Sequence, residues 1–93
     1  MTTEVKLFAT LRLKLGRGAL TIESSAPLTV RELIREVSRR TESEVAPYLL
    51  NDDGSLQTGT MILVDGKNIH HLDGLETVVR SQEVSIFPPA GGG

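Results

Sequence analysis

Val5, Leu7, Ala9 and Leu11 alternate with Lys6, Phe8, Thr10 and Arg12, the period-two signature of a half-buried strand. Gly16-Arg17-Gly18 supplies turn residues, and Ala19 to Glu23 reads as a second strand. Together they predict a hairpin with a slightly long loop. Ser24-Ser25-Ala26-Pro27 then breaks the pattern.

The period changes at Thr29-Val30-Arg31-Glu32, a capping box in which the threonine hydroxyl accepts from a free amide and Glu32 reaches back. Val30, Leu33, Ile34 and Val37 follow at helical spacing, with Arg31, Arg35, Arg39 and Arg40 on or near the opposite face. The spacing predicts a helix over 30–41, and its later arginines complement the helix dipole. From Glu42 to Thr60 the pattern weakens: Tyr48, Leu49 and Leu50 are expected to dip into the core, and Asn51-Asp52-Asp53-Gly54 to turn. Met61 to Val64 reads as a third strand, and Asp65-Gly66 as a two-residue hairpin turn into a short strand through Asn68 and Ile69. Leu72 to Leu75 reads as a tight turn of 3₁₀ type, and Val84 to Phe87 as a final strand ended by Pro88-Pro89.

A hairpin, one helix and then more strands predict an α+β fold, a single mixed sheet with the helix packed across one face. One amphipathic helix covers one sheet face, which leaves the other for solvent or a partner. The strand alternation puts Val5, Leu7, Ala9, Leu11, Val84 and Ile86 on the covered face. It puts Phe8 and Phe87 on the open one. Single exposed apolar residues are ordinary, but two of the three aromatics on one open face match the enrichment of aromatics at interface centres.

Composition narrows the function classes. Ninety-three residues make one domain that buries roughly 60–65% of its unfolded surface, too little to enclose a substrate cavity as well. The net charge of −2, with mixed signs, gives no footprint for nucleic acid or an anionic membrane. With no cysteine there is no disulfide framework, thiolate metal site or cysteine nucleophile. The first residues show no secretion signal and no apolar run reaches membrane-spanning length, so a cytoplasmic, soluble monomer is expected. His70-His71 lie adjacent and would point to opposite faces of an extended chain. Asp52-Asp53-Gly54-Ser55 lacks the alternating ligands and distal glutamate of a calcium loop. No glycine precedes the Lys-Ser/Thr of a phosphate loop. No metal site and no catalytic set emerge, so the chain alone is not expected to be an enzyme.

What remains unexplained is the ending Phe87-Pro88-Pro89-Ala90-Gly91-Gly92-Gly93. Glycine loses more conformational entropy on ordering than any other residue, so a triglycine end serves folding poorly and suits threading into a narrow channel. The expected division is a folded domain over 1–88 and a flexible glycine tail over 89–93.

These residues resemble the MoaD/ThiS family of ubiquitin-like β-grasp sulfur carriers, and within it the small subunits of molybdopterin synthase. The resemblance rests on Val5-Lys6-Leu7-Phe8-Ala9-Thr10-Leu11-Arg12, on Thr29-Val30-Arg31-Glu32-Leu33, on Asp73-Gly74-Leu75 through Thr77, and above all on 84–93. Two positions depart: Gly91 stands where the family has a small non-glycine residue, and Arg80-Ser81-Gln82 where an Asp-Gly-Asp-like turn is common. Neither shifts Gly92-Gly93 relative to Pro89.

The resemblance implies that a ubiquitin-activating-like enzyme adenylates the terminal carboxylate with ATP. A sulfur donor protein then displaces AMP to leave a thiocarboxylate on Gly93. It implies a sulfur-accepting enzyme such as the large subunit of molybdopterin synthase, whose active site the tail would complete. It implies no cofactor held by the chain itself. Gly91 and Gly92 would follow the channel, Pro88 and Pro89 would stiffen the tail base, and Phe8 and Phe87 with these prolines would meet the partners. The Asp73-Gly74-Leu75 block keeps carriers for cysteine synthesis open, thiamin synthesis and thiolated nucleosides use similar carriers, and the same activated end could form isopeptide bonds.

Overall fold

The computed structural model describes residues 1–89; 90–93 lie outside the described residues, and with them the tail glycines singled out above. Among the described residues, seven strands, three α-helices and two 3₁₀ turns follow one another. Strands β1 (Thr2–Leu7), β2 (Ala19–Glu23), β4 (Met61–Val64), β5 (Lys67–Asn68) and β7 (Glu83–Phe87) form one sheet in the order β2-β1-β7-β4-β5. Its central pair β1–β7 is parallel, and the other pairs are antiparallel. Helix α2 (Val30–Thr41) packs across one face, the expected α+β, β-grasp arrangement of a mixed sheet under one main helix.

The core sits between that helix and the sheet. Alternation dictates who faces it: Val5 and Leu7 of β1, Ile22 of β2, Ile62 of β4, and Val84 and Ile86 of β7 are fully buried against Val30, Leu33 and Val37 of α2. Each such side chain contributes about 1.5–3 kcal/mol by leaving water. The start of α2 is fixed by its capping box: Glu32 N–H donates to Thr29 Oγ1 at 3.1 Å, and Thr29 N–H donates to Glu32 Oε1 at 2.9 Å. Its arginines are more than a solvated face. Arg31 Nε–H donates to Glu76 at 2.9 Å and its Nη1 to the Gly54 carbonyl at 2.8 Å, tying two loops to the helix.

Several elements differ from the expected layout. The first strand ends at Leu7, and helix α1 (Ala9–Leu15) replaces the second half of the expected strand and the hairpin loop. Ala9 adopts φ +52°, which breaks the strand abruptly, and the residue is exposed, not on the covered face. Gly16 ends α1 in the left-handed region at φ +70°, its N–H on the Arg12 carbonyl, the usual glycine helix stop. Leu11 still reaches the core, now from a helix.

The second difference is a small two-stranded sheet, β3 (Leu28–Thr29) with β6 (Val78–Val79), that joins the start of α2 to the chain before β7. The third is α3 (Ala46–Leu49), whose Leu49 is fully buried while Tyr48 and Leu50 are half-buried. The Asp65-Gly66 turn forms as expected, with φ +49° and +83°, the positive values that a type I′ hairpin requires. The following strand stops at Asn68, and Ile69–His71 form a 3₁₀ turn capped by Asn68, so the two exposed histidines are not on extended chain. A second 3₁₀ turn covers Gly74–Glu76, and Ser81 turns at φ +50°. No helix among the described residues is long and apolar enough to cross a membrane.

Candidate functional site

The sheet face away from α2 is polar over most of its area, with Thr2, Glu4, Thr21 and Glu83 exposed. At the end where β7 leaves the sheet it becomes apolar. Phe8 directly follows β1, and its N–H donates to the Ile86 carbonyl at 3.2 Å, continuing the parallel ladder one residue beyond the strand. That step brings Phe8 beside Phe87, the last residue of β7. The rings stack with centroids 4.2 Å apart and planes 9° from parallel. A contact of this kind contributes about 0.5–1.5 kcal/mol beyond the area it buries. Both rings are half-buried, and neither belongs to the core cluster.

The register extends the patch to a third strand. Met61 pairs directly with Phe87, and Leu63 with Ser85. Ile62 and Val64 between them point into the core, so Met61 and Leu63 share the face of the phenylalanines. Met61 is 36% exposed and Leu63 half-buried. Phe8, Phe87 and Met61 thus form a row across three strands. Lys6 and Glu83 stand beside it as an ion pair at 3.2 Å, each side chain about half exposed, an arrangement worth little in stability because water screens it.

Pro88 is buried and Pro89 half-buried directly after this row. Pro88, expected among the partner contacts, is therefore packed within the domain at the root of the tail. Gly91, Gly92 and Gly93 lie outside the described residues. Of the expected site residues, the fold brings Phe8 and Phe87 together on the open face, with Pro88 buried and Pro89 half-buried directly after them in the chain. Met61 and Leu63 escaped the sequence reading. Their signal was the alternation of Met61-Ile62-Leu63-Val64, in which two large apolar residues had to face away from the core. A groove lined by Arg31, Arg35, Pro47 and Asp52 lies elsewhere, between α2 and α3, and includes none of these residues.

The family model of the ThiS family matches residues 5–93, nearly the whole chain. The chain belongs to the ThiS family. An Archaeoglobus fulgidus protein provisionally named a sulfur carrier protein is 38% identical over the full length of both chains. Small archaeal modifier protein 3 of Haloferax volcanii is 31% identical, again over the full length of both. Among solved structures, SAMP1 of Haloferax volcanii superposes with a TM-score of 0.81 at 23% identity, covering all of each chain. At that identity the likeness speaks for the fold alone, a ubiquitin-like β-grasp. The ThiS family match takes in Gly92-Gly93 together with the strand that leads to them.

Proposed function

We propose that this chain is a sulfur carrier whose working group is the carboxylate of Gly93. A carboxylate is a poor electrophile, since its charge is delocalised and oxide is no leaving group. Attack of a terminal oxygen on the α-phosphorus of ATP, in the site of a ubiquitin-activating-like partner, expels pyrophosphate and forms an acyl adenylate. Fixed dipoles and cations of the partner's site stabilise the charge that develops. A sulfide-level sulfur brought by a donor protein then attacks the acyl carbon, the bond to AMP breaks, and the thiocarboxylate remains. The chain supplies the reactive end, its reach and a docking face, and the partners supply the chemistry.

The observation that carries this reading is the juxtaposition of an apolar row, Phe8–Phe87–Met61, with the two prolines that start the diglycine tail. A partner seated on the row meets the tail where it leaves the domain. The Phe-Pro-Pro sequence favours the large subunit of molybdopterin synthase as the sulfur acceptor, with cysteine, thiamin and tRNA thiolation as the alternative destinations. The likeness to a small archaeal modifier protein supports a second reading, in which the same activated end forms isopeptide bonds with lysines of target proteins. Deletion of Gly93, or Gly93→Ala, tests the proposal: thiocarboxylate formation is expected to vanish with the melting temperature unchanged. Full activity in either variant overturns it.

A further inference from the structure

At the last described residue, Pro89 faces the turn Gln57-Thr58-Gly59-Thr60. The turn closes with Thr60 N–H on the Gln57 carbonyl at 3.0 Å, and Gly59 has φ +91°. A positive φ at the third position is the requirement of a type II turn, which glycine meets without steric cost. The bare Cα of Gly59 is turned to the proline: a Cβ built there would stand 3.6 Å from Pro89 Cβ and 3.7 Å from Pro89 Cα.

The turn is itself held. Gln57 N–H donates to the Leu49 carbonyl at 2.8 Å. The Gln57 side-chain amide donates to the Pro47 carbonyl at 2.8 Å and the Leu50 carbonyl at 2.9 Å. Thr60, buried, donates its hydroxyl to Leu49 at 3.4 Å. Leu49 is a fully buried member of the core. An unbroken set of contacts therefore runs from the core, through the end of α3, to the surface against which Pro89 lies.

We infer that Gly59 is a positioning residue for the tail: the Gln57–Thr60 turn fixes the direction in which the chain leaves the domain at Pro89. The inference rests on the carrier reading. Four residues after Pro89 span at most about 14 Å. Gly91 and Gly92 can follow a channel but cannot lengthen the reach, so the root sets the point at which the tail enters it. Misplacement of a reacting group by about 1 Å can cost on the order of a hundredfold in rate. Phe8 and Phe87 lie outside the turn and Met61 directly follows it, so an effect on docking would show in KM and an effect on direction in kcat.

The test is ATP-dependent pyrophosphate release by the adenylating enzyme of the same organism, with the carrier concentration varied. Gly59→Val puts a β-branched side chain where φ must be positive, so the turn has to change and Pro89 loses its rest. The variant is expected to lower kcat on the order of tenfold while KM for the carrier moves less than about twofold. Gly59→Asn, which tolerates the left-handed region, is expected to recover most of the rate. Should Gly59→Val fail to fold, Gln57→Ala, which removes the side-chain hydrogen bonds that hold the turn to the Pro47 and Leu50 carbonyls, carries the same expectation. Unchanged kcat, or a loss confined to KM, overturns the inference while the wild type still releases pyrophosphate. A wild type that releases none overturns the carrier reading, and this inference with it.

Discussion

Phe8, directly after β1, and Phe87, at the end of the neighbouring parallel strand β7, lie face to face, 4.2 Å between ring centroids and outside the core. The pair stabilises the free domain a little and presents an apolar surface at the root of the tail. The two roles make different demands on a mutant. Phe8→Ala and Phe87→Ala are each expected to lower stability by about 1–2 kcal/mol, from the stacking and the area each ring covers, and the double variant by less than the sum of the singles, since the stacking is lost once. Affinity for the adenylating partner is expected to fall by more, about 3 kcal/mol or somewhat over a hundredfold for each, as at the centre of an interface. Urea denaturation and titration calorimetry measure the two. A stability loss larger than the binding loss would mean that the stack is structural.

The capping box of α2 satisfies two backbone donors reciprocally. Thr29→Ala removes the acceptor for Glu32 N–H and is expected to destabilise the protein by about 1 kcal/mol. Thr29→Ser keeps the hydroxyl and is expected to stay within a few tenths of wild type. Urea midpoints check both, and an equal loss in the two would place the effect in the threonine methyl instead.

Acid should weaken the fold in a defined direction. The Asp53 carboxyl lies below its ordinary value, chiefly through the Ser55 hydroxyl at 2.6 Å and also through Ser55 N–H. Glu36 lies below its ordinary value chiefly through its hydrogen bond with Arg39. A carboxyl whose pKa is lower when folded stabilises the protein above its unfolded pKa, and that contribution is lost as pH falls through the folded one. Asp53 is exposed, and Glu36 is half-buried in an ion pair with the exposed Arg39 that water still screens, so the effect is small. The urea midpoint is expected to be level near neutrality and to decline below the usual carboxylate range, less steeply in Asp53→Asn with Glu36→Gln. A midpoint that rises as pH falls through that range would contradict the assignment.

Elements whose partners are local were legible in the sequence. Helix α2 begins and ends where its capping box and apolar spacing place it, because Thr29 and Glu32 satisfy each other within one turn. The Asp65-Gly66 hairpin was legible for the same reason. Helix α1 was not. Leu11, Leu13 and Leu15 alternate like a strand, yet Leu13 is 82% exposed and the strand is broken by a positive φ at Ala9. Alanine gives no warning of such a φ. Gly16, at i+5 from Leu11, was the available sign of a helix stop. The β3–β6 pair has two residues in each strand, and its existence depends on residues about 50 apart in sequence meeting.

The site divides in the same way. Alternation alone turned Phe8 and Phe87 away from the core, and their stacking followed from a register that no local pattern encodes. Met61 joined the row through cross-strand pairing with Phe87. Gly59 stayed invisible because a glycine among turn residues looks alike whether or not a proline from the other end of the domain lies on it.

The most direct measurement is the intact mass of the carrier after incubation with ATP, its adenylating enzyme and a sulfide source. The account predicts the increase for one oxygen replaced by sulfur, dependent on ATP and located by fragmentation at Gly93. An unchanged mass under conditions where the enzyme activates another carrier of the family, or sulfur found at any other residue, would contradict it.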